Sequence, residues 1–211
     1  MDKQVYSNKE QVAEAFATFF ARSLRQRQAF HVALSGGSTP KKVFDILAQK
    51  HGSSIDWSNI HFYWGDERCV PPDHDQSNFK MAHEHLFSKI DVPEKNINRI
   101  LGENDPNTEA MRYANLLEIQ LDRVGGIPQF DLIILGMGDD GHTASIFPHE
   151  IHLWQSNDHC TVATHPGTGQ KRVSITGQVI NMAKSVAFLV TGPQKSEKVH
   201  EILGTTSPKA Q

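Results

Sequence analysis

Between Gly136 and Ser145 the chain reads Gly-Met-Gly-Asp-Asp-Gly-His-Thr-Ala-Ser. Two carboxylates, an imidazole and two hydroxyls share one short loop. An imidazole beside a carboxylate suits proton transfer, because unperturbed histidine titrates near about 6.5. His142 is the candidate base and Asp140 its neighbour. Gly136, Gly138 and Gly141 let the backbone turn tightly and approach a ligand. The bland alternative is an Asp-Gly turn with a solvated histidine. A metal is the rival occupant for Asp139, Asp140 and His142, with His149 and His152 nearby. The spacings of zinc and calcium sites are absent, so no metal is expected. Nor is there a serine-elbow motif.

Three other stretches carry useful groups. Gly36-Gly37-Ser38-Thr39-Pro40 joins an apolar run to a helical pattern. Free N–H groups and the helix dipole there can hold a phosphate, with the Ser38 and Thr39 hydroxyls as extra donors. The spacing is neither the Walker loop nor the dinucleotide fingerprint. The alternative is a plain turn, with Thr39 as N-cap and Pro40 first in the helix. Gly65-Asp66-Glu67-Arg68-Cys69 follows a second apolar run. Arg68 can grip a phosphate or carboxylate with its planar fork. The alternative is a weak surface ion pair between Arg68 and Asp66 or Glu67, which are themselves further candidates. Cys69 beside a cation offers an activated thiol as an alternative, but the inert reading is preferred, since no nearby histidine has an evident reason to serve it. Lys195, in Thr191-Gly192-Pro193-Gln194-Lys195, is a second cation.

The elements that must position these groups follow from apolar spacing. Ser7 to Glu10 has capping-box spacing ahead of a helix over 8–27. Apolar runs at 30–35, 60–64, 130–135 and 186–190 read as strands, the last of them buried. Shorter pieces at 159–163 and 172–175 read as further strands. Helices are expected after Thr39, after Ser77, over 108–123 and from Ser196 to Gly204, with a helical turn over 177–183. Strands that alternate with helices and lack polar alternation imply an α/β fold. It is an open, mainly parallel, Rossmann-like sheet with helices on both faces. Ligands of such sheets bind where the strands end, so distant polar loops are expected to converge there. No linker or charge block divides residues 1–211, so one domain is expected. The net charge of -3, with both signs interspersed, gives no support for nucleic-acid binding. No apolar run is long enough to span a bilayer. The N-terminus has no signal-peptide core, and two cysteines make no disulfide framework, so the expected setting is cytoplasmic.

Together these motifs resemble the 6-phosphogluconolactonase branch of the glucosamine-6-phosphate isomerase/lactonase superfamily. The matching pieces are Ser35 to Pro40, Trp64 to Arg68 with Val70-Pro71 and Ser77-Asn78, and Gly136 to Pro148. Arg172 with Ile180-Asn181, and Gly192 to Lys195, complete the set in family order. Thr143-Ala144-Ser145 and Asp66-Glu67-Arg68 look like lactonase rather than deaminase. The resemblance implies hydrolysis of 6-phospho-D-glucono-1,5-lactone, the second step of the oxidative pentose phosphate pathway, with no metal and no organic cofactor. By position, His142 would activate water and Asp140 would orient the site. Arg68 and Lys195 would bind the 6-phosphate with Gly36, Gly37, Ser38 and Thr39, and Arg172 would be a further contact. The expected partner is the small-molecule lactone and the expected state a monomer. An amino-sugar-phosphate isomerase or deaminase is one rival, using Asp66 and His142; a non-catalytic sugar-phosphate sensor is another. Two departures stand out. His149 follows Pro148 where many relatives have glycine. The sequence also stops at Pro208-Lys209-Ala210-Gln211, where members usually continue, so the usual C-terminal segment is expected to be missing and core surface exposed.

Overall fold

The structure is a computed structural model that describes residues 2–24 and 29–204. In chain order the elements are α1 (Lys9–Ser23), β1 (Phe30–Leu34), α2 (Ser38–His51), β2 (Ile60–Trp64) and β3 (Asp66–Arg68). Then come α3 (Asn78–His85), α4 (Pro106–Gln120), β4 (Arg123–Val124), β5 (Ile127–Pro128) and β6 (Leu132–Leu135). The last are β7 (Cys160–Thr164), β8 (Lys171–Ile175), α5 (Gly177–Met182), β9 (Val186–Phe188) and α6 (Ser196–Gly204).

Four strands form a parallel sheet in the order β2-β1-β6-β9. Leu132, Ile133, Ile134 and Leu135 of β6 are all buried, as an unalternating apolar run demands of a central strand. The expected mainly parallel α/β fold is therefore present. Three further strands depart from it: β3-β8-β7 form a second, antiparallel sheet. The chain crosses between sheets at Gly65. Its N–H donates to Leu34 O of the parallel sheet (2.9 Å), and its carbonyl accepts from Ile175 N of the antiparallel one (2.9 Å). Just before the crossing, the buried Tyr113 hydroxyl accepts from Trp64 N (2.8 Å) and donates to Trp64 O (3.0 Å). A backbone that leaves its sheet thus keeps both hydrogen bonds away from water.

Several local expectations shift. Asn8, not Ser7, caps α1, accepting from Gln11 N, and the Gln11 side chain accepts from Ser7 N. The helix ends at Ser23; residues 25–27 of the expected helix lie outside the described residues, as do Pro208 to Gln211. α4 begins at Pro106 behind the Asp105 cap and stops at Gln120. A 3-10 segment, Pro148–Gln155, precedes β7. The strand expected to be the last buried one is an edge strand, and Phe188 is 52 % exposed. Among the described residues, no helix is long and apolar enough to cross a membrane.

Candidate active site

The β1–α2 junction forms one wall of a cleft. Gly37, at φ 106°, precedes α2 and supplies no side-chain cap. That positive φ is a conformation glycine adopts without strain. The first-turn N–H groups of α2 have neither an intrahelical partner nor a cap. Thr39 lies inside the helix, so it is not the cap; its hydroxyl meets that of Thr191 at 2.7 Å. This bond ties the junction to the loop that carries Lys195.

The loop after β6 forms the facing wall. The His142 main-chain N–H and Nδ1 both donate to Asp140 Oδ1, at 3.1 and 2.6 Å. With Nδ1 carrying the proton, Nε2 keeps its lone pair for a ligand. The loop is closed by Gly138 N to His142 O (2.8 Å) and by Thr143 Oγ1 to Gly136 O (3.0 Å). A Cβ on Gly138 would collide with the imidazole, which explains that glycine. Burial pushes the Asp140 carboxyl upward, but the two His142 hydrogen bonds, the His142 charge and its own main-chain N–H together leave the group below its usual value. Ala144 adopts φ 48°, a strained conformation for a residue with a Cβ. Beneath the loop, the buried Phe147 ring lies 4.5 Å from the His142 ring and carries the Arg172 guanidinium at 5.5 Å.

The cations come from both sheets. Arg68 and Arg172 face each other directly across the β3–β8 pair. Like charges so placed repel unless an anion lies between or beside them. Asp66 supplies part of that charge: its Oδ2 accepts from Ser145 Oγ at 2.7 Å and faces Arg172 Nη1 at 3.8 Å. Arg68 Nη1 donates to Gln76 O (2.5 Å). Among the described residues, the Nε groups of both arginines are buried without a hydrogen-bond partner. Both side chains line the cleft, and adjacent cations there suit an anionic ligand. Burial lowers the Arg172 pKa; Asp66 raises it and neighbouring Arg68 lowers it further. Lys195 pairs with Asp139 and is 14 % exposed.

Gly36, Gly37, Ser38, Thr39, Asp66, Arg68, His142, Arg172 and Lys195 all line one cleft of about 370 Å³. Asp140 stands behind His142 rather than in the lining. The surface ion pair considered for Arg68 is not what forms: Asp66 and Glu67 are buried, and Asp66 faces Arg172 instead. Glu67 is not in the lining either. Its carboxyl is raised by burial, against three main-chain N–H donors that lower it. Burial and the Glu67 charge push the Cys69 thiol up to about 11. Asn78, Thr191 and Gln194 line the cleft without having been singled out as site residues. The sequence signals for Asn78 are its place beside the Ser77 cap and the Ser77-Asn78 piece of the family pattern. Among the described residues, no three His, Cys, Asp or Glu side chains gather as a metal-ligand group.

Fold and cleft define an α/β enzyme class: a base–carboxylate pair and three cations meet at the strand ends, suited to acid–base chemistry on an anionic ligand. The chain belongs to the family of glucosamine-6-phosphate isomerases/6-phosphogluconolactonase, which it matches over residues 6–211. It is 43 % identical to the 6-phosphogluconolactonase of Treponema pallidum (strain Nichols), over 96 % of this chain and 84 % of that protein. It is 46 % identical to the Haemophilus influenzae 6-phosphogluconolactonase, over 83 % of this chain and 74 % of that one. The crystal structure of 6-phosphogluconolactonase from Thermotoga maritima superposes with a TM-score of 0.84 at 32 % identity, covering 98 % of this chain and 90 % of that one.

Proposed function

We propose that this chain hydrolyses 6-phospho-D-glucono-1,5-lactone to 6-phospho-D-gluconate, the second step of the oxidative pentose phosphate pathway. The observation that carries the reading is the convergence in one cleft of His142, its Nδ1 held by Asp140, with Arg68, Arg172, Lys195 and the uncapped start of α2. The phosphate sits among the cations and the Gly36 to Thr39 N–H and hydroxyl groups, fixing the ring by a group remote from the reacting carbon. His142 Nε2 takes a proton from water as the water oxygen bonds to the lactone carbonyl carbon. Main-chain N–H groups of the glycine loop other than those of Gly138, Gly141 and His142, which are already engaged, receive the oxyanion. When the tetrahedral centre collapses, the C–O bond to the ring oxygen breaks and the imidazolium returns its proton to that oxygen. Asp140 holds the ring and faces the imidazolium that forms. No protein nucleophile is needed, because a δ-lactone carbonyl is already reactive.

One hydrophobic core packs against both sheets, which supports a single catalytic unit. Two free thiols, one of them buried, fit a reducing cytoplasm. The isomerase or deaminase reading would ask Asp66 to act as a free carboxylate. Here Asp66 already holds the Ser145 hydroxyl and faces Arg172, which argues against it.

The test is acid release from freshly generated lactone above the spontaneous rate, for the parent and for His142→Ala. Turnover by the parent, lost by about 10²–10⁴-fold in the variant with 6-phosphogluconate binding kept, is expected. Parental turnover by His142→Ala removes the base. Binding without turnover by the parent favours a sensor, and ammonia release from glucosamine 6-phosphate favours the deaminase.

A further inference from the structure

Glu67 is 2 % exposed and stays out of the cleft, yet it takes four hydrogen bonds. Oε1 accepts from the main-chain N–H groups of Arg68 and Asn78, each at 2.8 Å. Oε2 accepts from Phe79 N at 2.8 Å and from Ser77 Oγ at 3.2 Å. Asn78 and Phe79 open α3, so a carboxylate from another element satisfies two of its orphan donors. The Ser77 hydroxyl meanwhile caps the next, Lys80 N, at 3.1 Å.

The segment so held is stapled to β3 twice more. Asn78 Nδ2 donates to Asp66 O (2.8 Å), and Arg68 Nη1 donates to Gln76 O (2.5 Å). The first bond fixes which way the Asn78 amide points. Its NH₂ is committed to a carbonyl, so Oδ1 turns to Gly36, where any Cβ would collide with it. A continuous chain of contacts therefore runs from Glu67 through Asn78 to the β1–α2 junction, and from Glu67 directly to the Arg68 backbone.

We propose that Glu67 is a positioning residue that, through Asn78, holds the β1–α2 phosphate cradle and Arg68 in one register. This rests on the phosphosugar reading of the cleft. A carboxamide of the same shape cannot replace it. All four partners donate, so the amide NH₂ of a glutamine would face at least one donor and leave it unmet. The helix start would then shift and take Asn78 away from Gly36.

The experiment compares the parent with Glu67→Gln, Asn78→Ala and the double variant. Calorimetry with 6-phosphogluconate, lactone kinetics and thermal melting are read on each. For Glu67→Gln the Kd and KM are expected to rise together by about tenfold, with kcat changed by less than about threefold. Asn78→Ala is expected to weaken binding similarly, and the double variant no more than the worse single, since both break one brace. A Glu67→Gln protein that melts earlier but keeps the parental Kd and KM shows a merely structural role and overturns the proposal. Additive losses in the double variant overturn it too. If Glu67→Gln does not fold, Asn78→Ala decides alone, and a parental Kd there refutes the brace. A parent that fails to bind 6-phosphogluconate sinks the phosphosugar reading, and this proposal with it. A parent that binds while the variants bind equally well sinks the brace only.

Discussion

Substituting Asp140 in two ways separates its charge from its geometry. A single oxygen, Oδ1, receives both the His142 N–H at 3.1 Å and Nδ1 at 2.6 Å. In Asp140→Asn the amide oxygen can keep both bonds, so the ring stays in place with its proton on Nδ1. What disappears is the negative charge beside the imidazolium that forms as water is deprotonated. A hydrogen bond to a charged group contributes about 1.5–3 kcal/mol and a neutral one about 0.5–1.5 kcal/mol. The Asp140 side chain is 40 % exposed, so solvent screening trims the difference to about 1 kcal/mol. That is a fall in kcat of about fivefold. Asp140→Ala removes both bonds, frees the ring to turn and leaves either tautomer available, for a loss of about 10²–10³-fold. KM should hold within about twofold in both, because the anchoring cations are untouched. Acid release at fixed pH, corrected for spontaneous hydrolysis, gives both constants. Parental kcat in Asp140→Ala would refute the orienting role. An asparagine variant as impaired as the alanine one would refute the shared-oxygen geometry.

Arg68→Ala and Arg172→Ala each remove a guanidinium that lines the cleft and are expected to raise KM by about 10–100-fold, more than they lower kcat; parental KM in both would place the anion elsewhere. The imidazole of His31 is held below its usual 6.5 by burial and by the adjacent His61, stacked at 4.8 Å. A folded pKa below the unfolded one means that the unfolded chain binds the proton more readily. The stabilising contribution is thus complete above 6.5 and declines as pH falls through the folded value. Urea midpoints at about pH 7.5 and 5.5 should differ more in the parent than in His31→Gln, and equal differences would refute it. With its thiol near 11, Cys69 is a thiolate to about one part in a few thousand at pH 7.5. Cys69→Ser should keep parental kcat, and loss of turnover would show chemistry at that sulfur.

Local features are legible in the sequence. The run Leu132 to Leu135 declares a buried central strand, and the glycine-spaced Asp140 and His142 meet because they lie two residues apart around a tight turn. The strand Asp66 to Arg68 was hidden. Its partner β8 lies about a hundred residues on, and charged residues carry no strand signal. Thr39 has the type and the proline neighbour of a cap, yet Gly37 stands at that position and the Thr39 hydroxyl is committed to Thr191, far along the chain. The apolar composition of β9 suggested burial, but composition cannot distinguish a central strand from an edge.

Such non-local contacts are also what make the cleft a site rather than a row of loops. The parallel sheet ends in the cradle, the base loop and the Lys195 loop, whereas both arginines stand on the antiparallel sheet. Anchoring therefore draws on both sheets while the base belongs to the parallel one alone, and catalysis needs the arginines and the base at a fixed separation. Two contacts set it. Gly65 joins the sheets by one hydrogen bond to each. Ser145, three residues past the base, donates through its hydroxyl to Asp66 and through its N–H to Ser174 Oγ (3.2 Å) of β8. Ser145 and Ser174 are both fully buried, so neither bond competes with water, and a buried polar pair with its partners met tolerates few alternative placements. The base loop is thereby pinned to the arginine-bearing sheet by a residue whose type alone suggests nothing more than a turn.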